Sequence, residues 1–275
     1  SQYTQLIARR VRELDVYSVI LPWDISKERI TALNPTGIIL SGGPESVTNN
    51  NTPRIPEIIF NLEIPILGIC YGMQTLAEQF GGQVTPSKTK EFGHAPITLE
   101  QASILFDGFE AGSSMDVWMS HGDHVSVLPD QFNLIASTPS APIAAMAHSK
   151  KPMYALQFHP EVTHTKDKGK IIKNFLINIC KFRKTWNSKN IISDTISEIK
   201  SQIGKDRVIL GLSGGVDSSV AAALINKAIG KNLICIFVNT GLLRKNEEKQ
   251  VINTFKKKLK INLIYVNAEK EFIKK

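Results

Sequence analysis

The sequence predicts an α/β protein of two domains, each built on a mostly parallel sheet flanked by helices. Three observations predict it. Short apolar runs rich in β-branched residues alternate with helical patterns, the order that sets parallel strands behind crossover helices. Twice, a strand-like run ends in a glycine-rich tip that opens straight into a helical run, at 64–72 ("IPILGICYG") and at 208–219 ("VILGLSGGVDSS"). Between them, 181–190 ("KFRKTWNSKN") is polar, basic and aperiodic, and reads as a linker. The domains are therefore drawn at 1–185 and 186–275.

Taken in order, "SQYTQLIARRVREL" reads as an amphipathic helix. Strands are expected at 17–23, 37–43 and 64–70, with helices at 54–62 and 73–80. From 83 to 155 the pattern changes to short strands and turns, at 95–100, 116–120, 132–137 and 141–148. A further strand at 153–159 and a closing helix at 169–180 end the first domain. In the second, a helix at 192–204, capped by Ser193 or Asp194, precedes a strand at 207–213. A helix at 218–230, a strand at 232–240, a helix at 245–259 and a strand at 261–268 follow. That is a second α/β unit begun and not finished. The first domain also reads as lacking an opening strand, so both ends look cut.

Composition narrows the class. With 275 residues and 42% hydrophobic content, the chain is globular and long enough for two domains, or for one and part of another. No window approaches 18 consecutive apolar residues, and the amphipathic opening is not a signal peptide, so neither membrane nor export is expected. Cys70, Cys180 and Cys235 are far apart without CxxC spacing. That argues against zinc and a disulfide framework and for a reducing, cytoplasmic location. Residues 1–185 hold 17 basic and 17 acidic side chains, so the whole net charge of +8 lies in 186–275. No aromatics interleave with those lysines, and nucleic acid is not expected as a partner.

The first tip has the form G-x-C-x-G, Gly68 to Gly72, the thiol counterpart of a nucleophile elbow. A lone cysteine at a strand end is ordinarily a packing residue. Here a sharp strand-to-helix turn needs small neighbours two residues either side, and the helix N-terminus favours an anionic sulfur. A nucleophilic thiol needs a base, and the base an orienting carboxylate. "QFHPE" offers His159 and Glu161, two apart, which project to one face of an extended segment. His94, His121, His124, His148 and His164 compete as bases, but none has a glutamate at that spacing. "SGGPES" (41–46) closes another strand with two glycines. The N–H groups of Gly43 and of Tyr71, the residue after the cysteine, are the candidate oxyanion hole.

"SGGPES", "GICYGMQ" and "QFHPEV" together resemble the class I, triad-type glutamine amidotransferases across about residues 1–185. The resemblance implies glutamine hydrolysis through a thioester, with Cys70 as nucleophile, His159 as base and then acid, and Glu161 as orienter. It implies a glutamine pocket at Gln74, Ser120 and His121, within "GMQ" and "MSHGD".

The second tip, "SGGVDSS", comprises Ser213, Gly214, Gly215, Val216, Asp217, Ser218 and Ser219. Its glycines expose N–H groups at a helix start, which makes an anion cradle. It lacks the lysine of G-x-x-x-x-G-K-[ST], and Asp217 is placed to hold Mg²⁺ on phosphates. The loop resembles that of the N-type ATP pyrophosphatases, which split ATP between α and β. The two modules in this order, with "HPEVTHT" and "GLLRKNE", resemble the family of bacterial glutamine-hydrolysing GMP synthetases. That implies glutamine, ATP with Mg²⁺ and XMP as substrates, with no tightly bound cofactor. It also implies a homodimer formed through a C-terminal domain beyond Lys275. The fragment itself is then limited to glutaminase and partial ATP binding. Asn239 departs from the Asp of this family. Two other readings compete: a stand-alone glutaminase feeding a partner synthetase, which the attached "SGGVDSS" module disfavours, and a non-enzymatic adaptor using the basic C-terminal part.

Overall fold

The computed structural model describes residues 2–162, 165, 168–182 and 188–274. The chain forms two compact units, Ser1–Trp186 and Asn187–Lys275, and both are α/β.

The first unit opens with α1 (Gln2–Glu13). Ile7 and Val11, four apart on one helix face, are buried in the core. The strand expected at 17–23 does not form. Residues 16–22 have no regular structure, and Tyr17 and Trp23 are each 58% exposed. β-branched composition suits a pleated surface but supplies no ladder partner, and none of the described strands pairs with this segment. In its place the chain turns into α2 (Lys27–Leu33), capped by Ser26 and closed by Asn34 at φ 45°.

β1 (Ile38–Leu40), α3 (Glu57–Asn61), β2 (Ile66–Ile69) and α4 (Tyr71–Gln79) follow. The helix expected from Arg54 starts only after Pro56, which takes the N-cap. Two long strands, β3 (Gln83–Leu99) and β4 (Ser114–Val127), replace the short ones expected, with a register break between Pro86 and Glu91. β5 (Phe132–Ser137), β6 (Ala145–His148) and β7 (Met153–Leu156) complete the sheet. α5 (Lys168–Lys173) continues as a wider π turn over Asn174–Ile179.

Strand order is β1-β2-β7-β6-β5-β3-β4. Parallel pairing is confined to β1, β2 and β7, and the other four pairings are antiparallel. The sheet is thus mixed rather than mostly parallel, because the strands of 83–156 pair antiparallel, β5 returning past β4 to pair with β3. β2 is buried on both faces: Leu67 and Ile69 join one core, Ile66 the other. Its continuous apolar run has that cause.

In the second unit α6 (Ser188–Ile203) begins before the expected start. Ser193 and Asp194 therefore lie inside the helix and do not cap it. Of the expected linker, Lys181 and Phe182 have no regular structure, 183–187 lie outside the described residues, and 188–190 belong to α6. β8 (Val208–Gly211), α7 (Val216–Ile229), β9 (Leu233–Asn239), α8 (Glu247–Ile252) and β10 (Asn262–Asn267) follow, with α8 widening into a π segment over Asn253–Lys258. A last helix, α9 (Glu269–Ile273), follows β10. The three strands are all parallel, in the order β10-β9-β8. No helix among the described residues is long and apolar enough to cross a membrane.

Candidate active site

Cys70 sits between β2 and α4 at φ 54°, ψ −108°. A non-glycine residue there is strained by about 1–3 kcal/mol, so the surroundings must hold it. They do so at both ends. Cys70 N donates to Leu156 O at 2.7 Å, and Cys70 O accepts from Met73 N and Gln74 N at 3.0 and 3.1 Å. The flanking glycines are required for contact. A methyl on Gly68 would lie 2.8 Å from the Gly72 carbonyl oxygen, and one on Gly72 would strike the Leu40 carbonyl. The small-residue spacing in the sequence records this close crossing of strand, elbow and helix.

His159 follows β7 and is 1% exposed; Glu161 is fully buried. The pair is bonded, Nδ1 to Oε1, at 2.7 Å. Thr165 Oγ1 donates to His159 O at 2.8 Å, and His159 N donates to Trp118 O at 3.0 Å. Burial alone would lower this imidazole. Hydrogen bonds with Cys70 and Glu161, and their charges, outweigh it and raise the pKa to about 10. Gly42 packs against both: a methyl there would be 3.1 Å from His159 Cε1 and 3.5 Å from Cys70 Cβ. Thiol, imidazole, carboxylate and the 41–43 loop therefore converge.

Two further groups reach the same sulfur. Cys70 Sγ donates to Ser120 O at 3.5 Å, and Gln157 Nε2 approaches it at 3.8 Å. Gln74 is buried, donating from Nε2 to Asp123 O at 2.7 Å. Ser46 Oγ donates to Asp123 Oδ2, tying the 41–46 loop to β4. Gly43 borders the Tyr71 ring, whose hydroxyl donates to Pro53 O at 2.8 Å. His121 is buried, with Nε2 3.2 Å from Glu91 Oε2 across the β3–β4 ladder. Burial lowers its pKa, and the Glu91 charge only partly offsets that.

His121 thus has a carboxylate neighbour that spacing did not reveal, since Glu91 comes from a paired strand. His148 bonds Gln131 at 3.0 Å, and His94 packs edge-on against Trp118. His164 lies outside the described residues. Sequence reasoning missed Gly42, Gln157 and Thr165 as parts of this site. All three sat inside quoted motifs, Thr165 as the last residue of "HPEVTHT".

At the second tip, Gly214 takes φ 79° and Gly215 caps α7. Ser213 Oγ and Ser218 Oγ are 2.9 Å apart, and Gly215 N donates to Ser213 Oγ at 3.3 Å. Ser219 Oγ donates back to Gly215 O at 2.6 Å. Val216 is exposed, and Asp217 is the acidic residue of the first helical turn. A methyl on Gly214 would be 2.9 Å from Val251 Cγ2, so the loop lies flat against α8. Asn239 is buried; Nδ2 meets Glu248 Oε2 at 3.3 Å and Tyr265 OH at 3.2 Å, and Oδ1 accepts from Gly241 N at 2.8 Å.

A family profile described as "Glutamine amidotransferase class-I" matches residues 1–179, and one described as "NAD synthase" matches residues 188–273. The chain is 54% identical over 279 residues to a GMP synthase [glutamine-hydrolyzing] of Hamiltonella defensa subsp. Acyrthosiphon pisum, covering 99% of this chain and 53% of that protein. A similarly named protein of Mannheimia succiniciproducens is 54% identical over 278 residues, with the same two coverages. The chain spans about half the length of the curated relatives it matches. Among solved structures, one from Thermoplasma acidophilum assigned as a GMP synthase subunit matches with a TM-score of 0.57 at 35% identity, covering 70% of this chain and 93% of that one. A glutamine amidotransferase of Thermotoga maritima shares the fold, with a TM-score of 0.54 at 19% identity, covering 64% and 92%.

Proposed function

The chain belongs to the class-I glutamine amidotransferases, and we propose on that basis that its first unit hydrolyses glutamine to glutamate and ammonia. The observation that carries this is Cys70 at positive φ on the elbow, beside a buried His159–Glu161 pair. Cys70 Sγ attacks the amide carbon of glutamine. The oxyanion that forms is held by the N–H groups of Gly43 and Tyr71. His159 passes a proton to the leaving nitrogen, ammonia departs, and a thioester remains. Water, deprotonated by His159, then opens the thioester to glutamate. Glu161 keeps Nδ1 protonated and Nε2 turned to the sulfur. Gln74, Ser120 and His121 line the pocket that orients the amino acid.

The second unit holds ATP with Mg²⁺ as its substrate complex, with the phosphates on the loop from Ser213 to Ser219. Exposed N–H groups at the start of α7 and the serine hydroxyls fit phosphate oxygens. Asp217 is the residue that would ligate the ion, and bound Mg²⁺ supplies charge neutralisation on the phosphates. In the whole protein, the 2-oxygen of XMP attacks the α-phosphorus of ATP and releases pyrophosphate. Ammonia then displaces AMP to give GMP. Ammonia cannot displace a carbonyl oxygen that has not been made a leaving group, so the two tips supply complementary halves of one amination. All three cysteines are free thiols, which suits the reducing cytoplasm in which we place the reaction.

The test is the intact mass of the chain before and after diazo-oxo-norleucine, followed by peptide mapping. One adduct on Cys70, blocked by excess glutamine, is expected. A folded chain left unmodified with ATP, Mg²⁺ and XMP present sinks the proposal.

A further inference from the structure

The opening helix reaches the candidate site in three places. The Tyr3 ring lies over the His159 imidazole, with centroids 4.3 Å apart and planes 28° from parallel. Thr4 Oγ1 is 2.8 Å from Ser41 Oγ, at the head of the 41–46 loop. Arg10 Nε donates to Glu161 O at 3.0 Å, and Glu13 holds the Arg10 guanidinium at 2.7 Å. Tyr3 and Arg10 are seven residues apart, two turns along one helix face. Ile7 and Val11 seat that face in the core with Ile171 and Phe175. These contacts are spread along a helix anchored by its own buried side chains, so the Tyr3 ring is fixed relative to His159 by more than the stack.

We propose that Tyr3 is a positioning residue for glutamine hydrolysis, its ring holding the His159 imidazole in line with Cys70 and favouring its cationic form. This rests on the amidotransferase reading above. A near-parallel ring over an imidazole restricts rotation about the Cβ–Cγ bond, the motion that would swing Nε2 off the sulfur. The ring's π-face also attracts the imidazolium formed when the thiol gives up its proton. Glu161 acts at Nδ1 and Gly42 backs onto Cε1, while Tyr3 acts on the ring face. Its contribution is therefore separable from the carboxylate's.

The experiment uses the full chain, with Tyr3→Leu and Tyr3→Phe, and reads diazo-oxo-norleucine inactivation as a saturable rate and a half-saturating concentration. Desolvated cation–π contacts are worth about two- to thirtyfold in an equilibrium. Tyr3→Leu is expected to lower the saturated rate by about that factor, with the half-saturating concentration changed less than about twofold. The alkaline limb of its pH profile should move to lower pH, and Tyr3→Phe should restore both. A Tyr3→Leu chain with the wild-type melt that labels like wild type overturns the proposal. So does an effect on half-saturation alone, or a Tyr3→Phe that behaves like Tyr3→Leu. An independent check needs no variant: cross-relaxation between the Tyr3 ring protons and the His159 Cε1 proton is expected in the NMR spectrum, and its absence also overturns the proposal. If Cys70→Ala is still inactivated at the same rate, the amidotransferase reading falls instead, and this proposal with it.

Discussion

Replacing Glu161 with glutamine isolates the charge of the buried carboxylate from its shape. The amide fills the same space and still offers an oxygen to His159 Nδ1, now 2.7 Å from a carboxylate oxygen. What is lost is the charge of a fully buried partner. A hydrogen bond to a charged group contributes about 1.5–3 kcal/mol, equivalent to about one to two pH units in the partner's titration. His159, raised to about 10 in the wild type, should then titrate at lower pH. A histidine raised above its ordinary value of 6.5 contributes stability that is fully present below about pH 6.5 and lost as pH rises through about 10. In Glu161→Gln that loss begins at lower pH. Glutamine hydrolysis should fall by about tenfold to about 150-fold in kcat. KM should change little, because Glu161 touches the base and not the substrate. The assays are the His159 ring titration by NMR and glutamate release against pH. A titration that stays near 10 with a rate within twofold of wild type would mean that the carboxylate's charge is not what sustains the imidazolium.

Other perturbations separate the parts. Gly72→Ala drives a methyl into the Leu40 carbonyl and should cost about 1–3 kcal/mol or more of stability, read as a lowered melting midpoint; an unchanged melt would mean that β1 and the elbow are not packed as described. Alkylation with iodoacetamide at pH 8 should modify Cys70 and spare Cys180 and Cys235, whose thiols burial raises, Cys180 to about 12. Peptide mapping checks it, and early modification of Cys180 would contradict it. Asn239→Asp removes an amide donor and sets a carboxylate about 3.3 Å from Glu248 Oε2, so melting should drop more at pH 7 than at pH 5; equal drops would show that charge is not the cause. Asp217→Ala should abolish Mg²⁺-dependent ATP binding, measured by calorimetry, and leave Cys70 labelling intact.

What was legible in the sequence is what local chemistry dictates. Gly68 is forced by the backbone of Gly72, four residues on, so that part of the elbow could be read from spacing, whereas Gly72 is small because Leu40 of β1 crosses it. His159 and Glu161 were legible from their spacing, although 157–162 bends and turns after β7 instead of running extended. The failures concern partners from elsewhere in the chain. Residues 17–23 have strand composition, but a strand exists only as a ladder, and none of the described strands pairs with them. Glu91 meets His121 only because β3 and β4 are in register, and no single-strand pattern carries that. Tyr3 reaches His159 across most of the first unit, with nothing in "SQYTQL" to announce it. The cap misassigned to Ser193 and Asp194 is a local error of another kind: both are good caps, but the helical pattern already runs through them from Ser188.

The two tips share one construction and differ in which residue takes the strained backbone position. In the first, the residue with positive φ is Cys70 itself, at φ 54°. Its Sγ turns toward the Ser120 carbonyl of β4, 3.5 Å away, while the flanking glycines let strand, elbow and helix cross closely. In the second, Gly214 takes φ 79°, so no side chain leaves the turn. Instead the hydroxyls of Ser213, Ser218 and Ser219 bond one another and the Gly215 backbone at the start of α7. A side chain at left-handed φ delivers one reactive atom; a glycine there delivers a concave row of donors. On the reading proposed above, this contrast lets one strand–loop–helix grammar serve a covalent nucleophile in one unit and an anion cradle in the other. It also sets different tolerances. Cys70→Ser keeps the elbow geometry and should retain the fold while losing labelling. Gly214→Ala must adopt an unfavourable φ and meet Val251 at 2.9 Å, so it should damage nucleotide binding and local stability together.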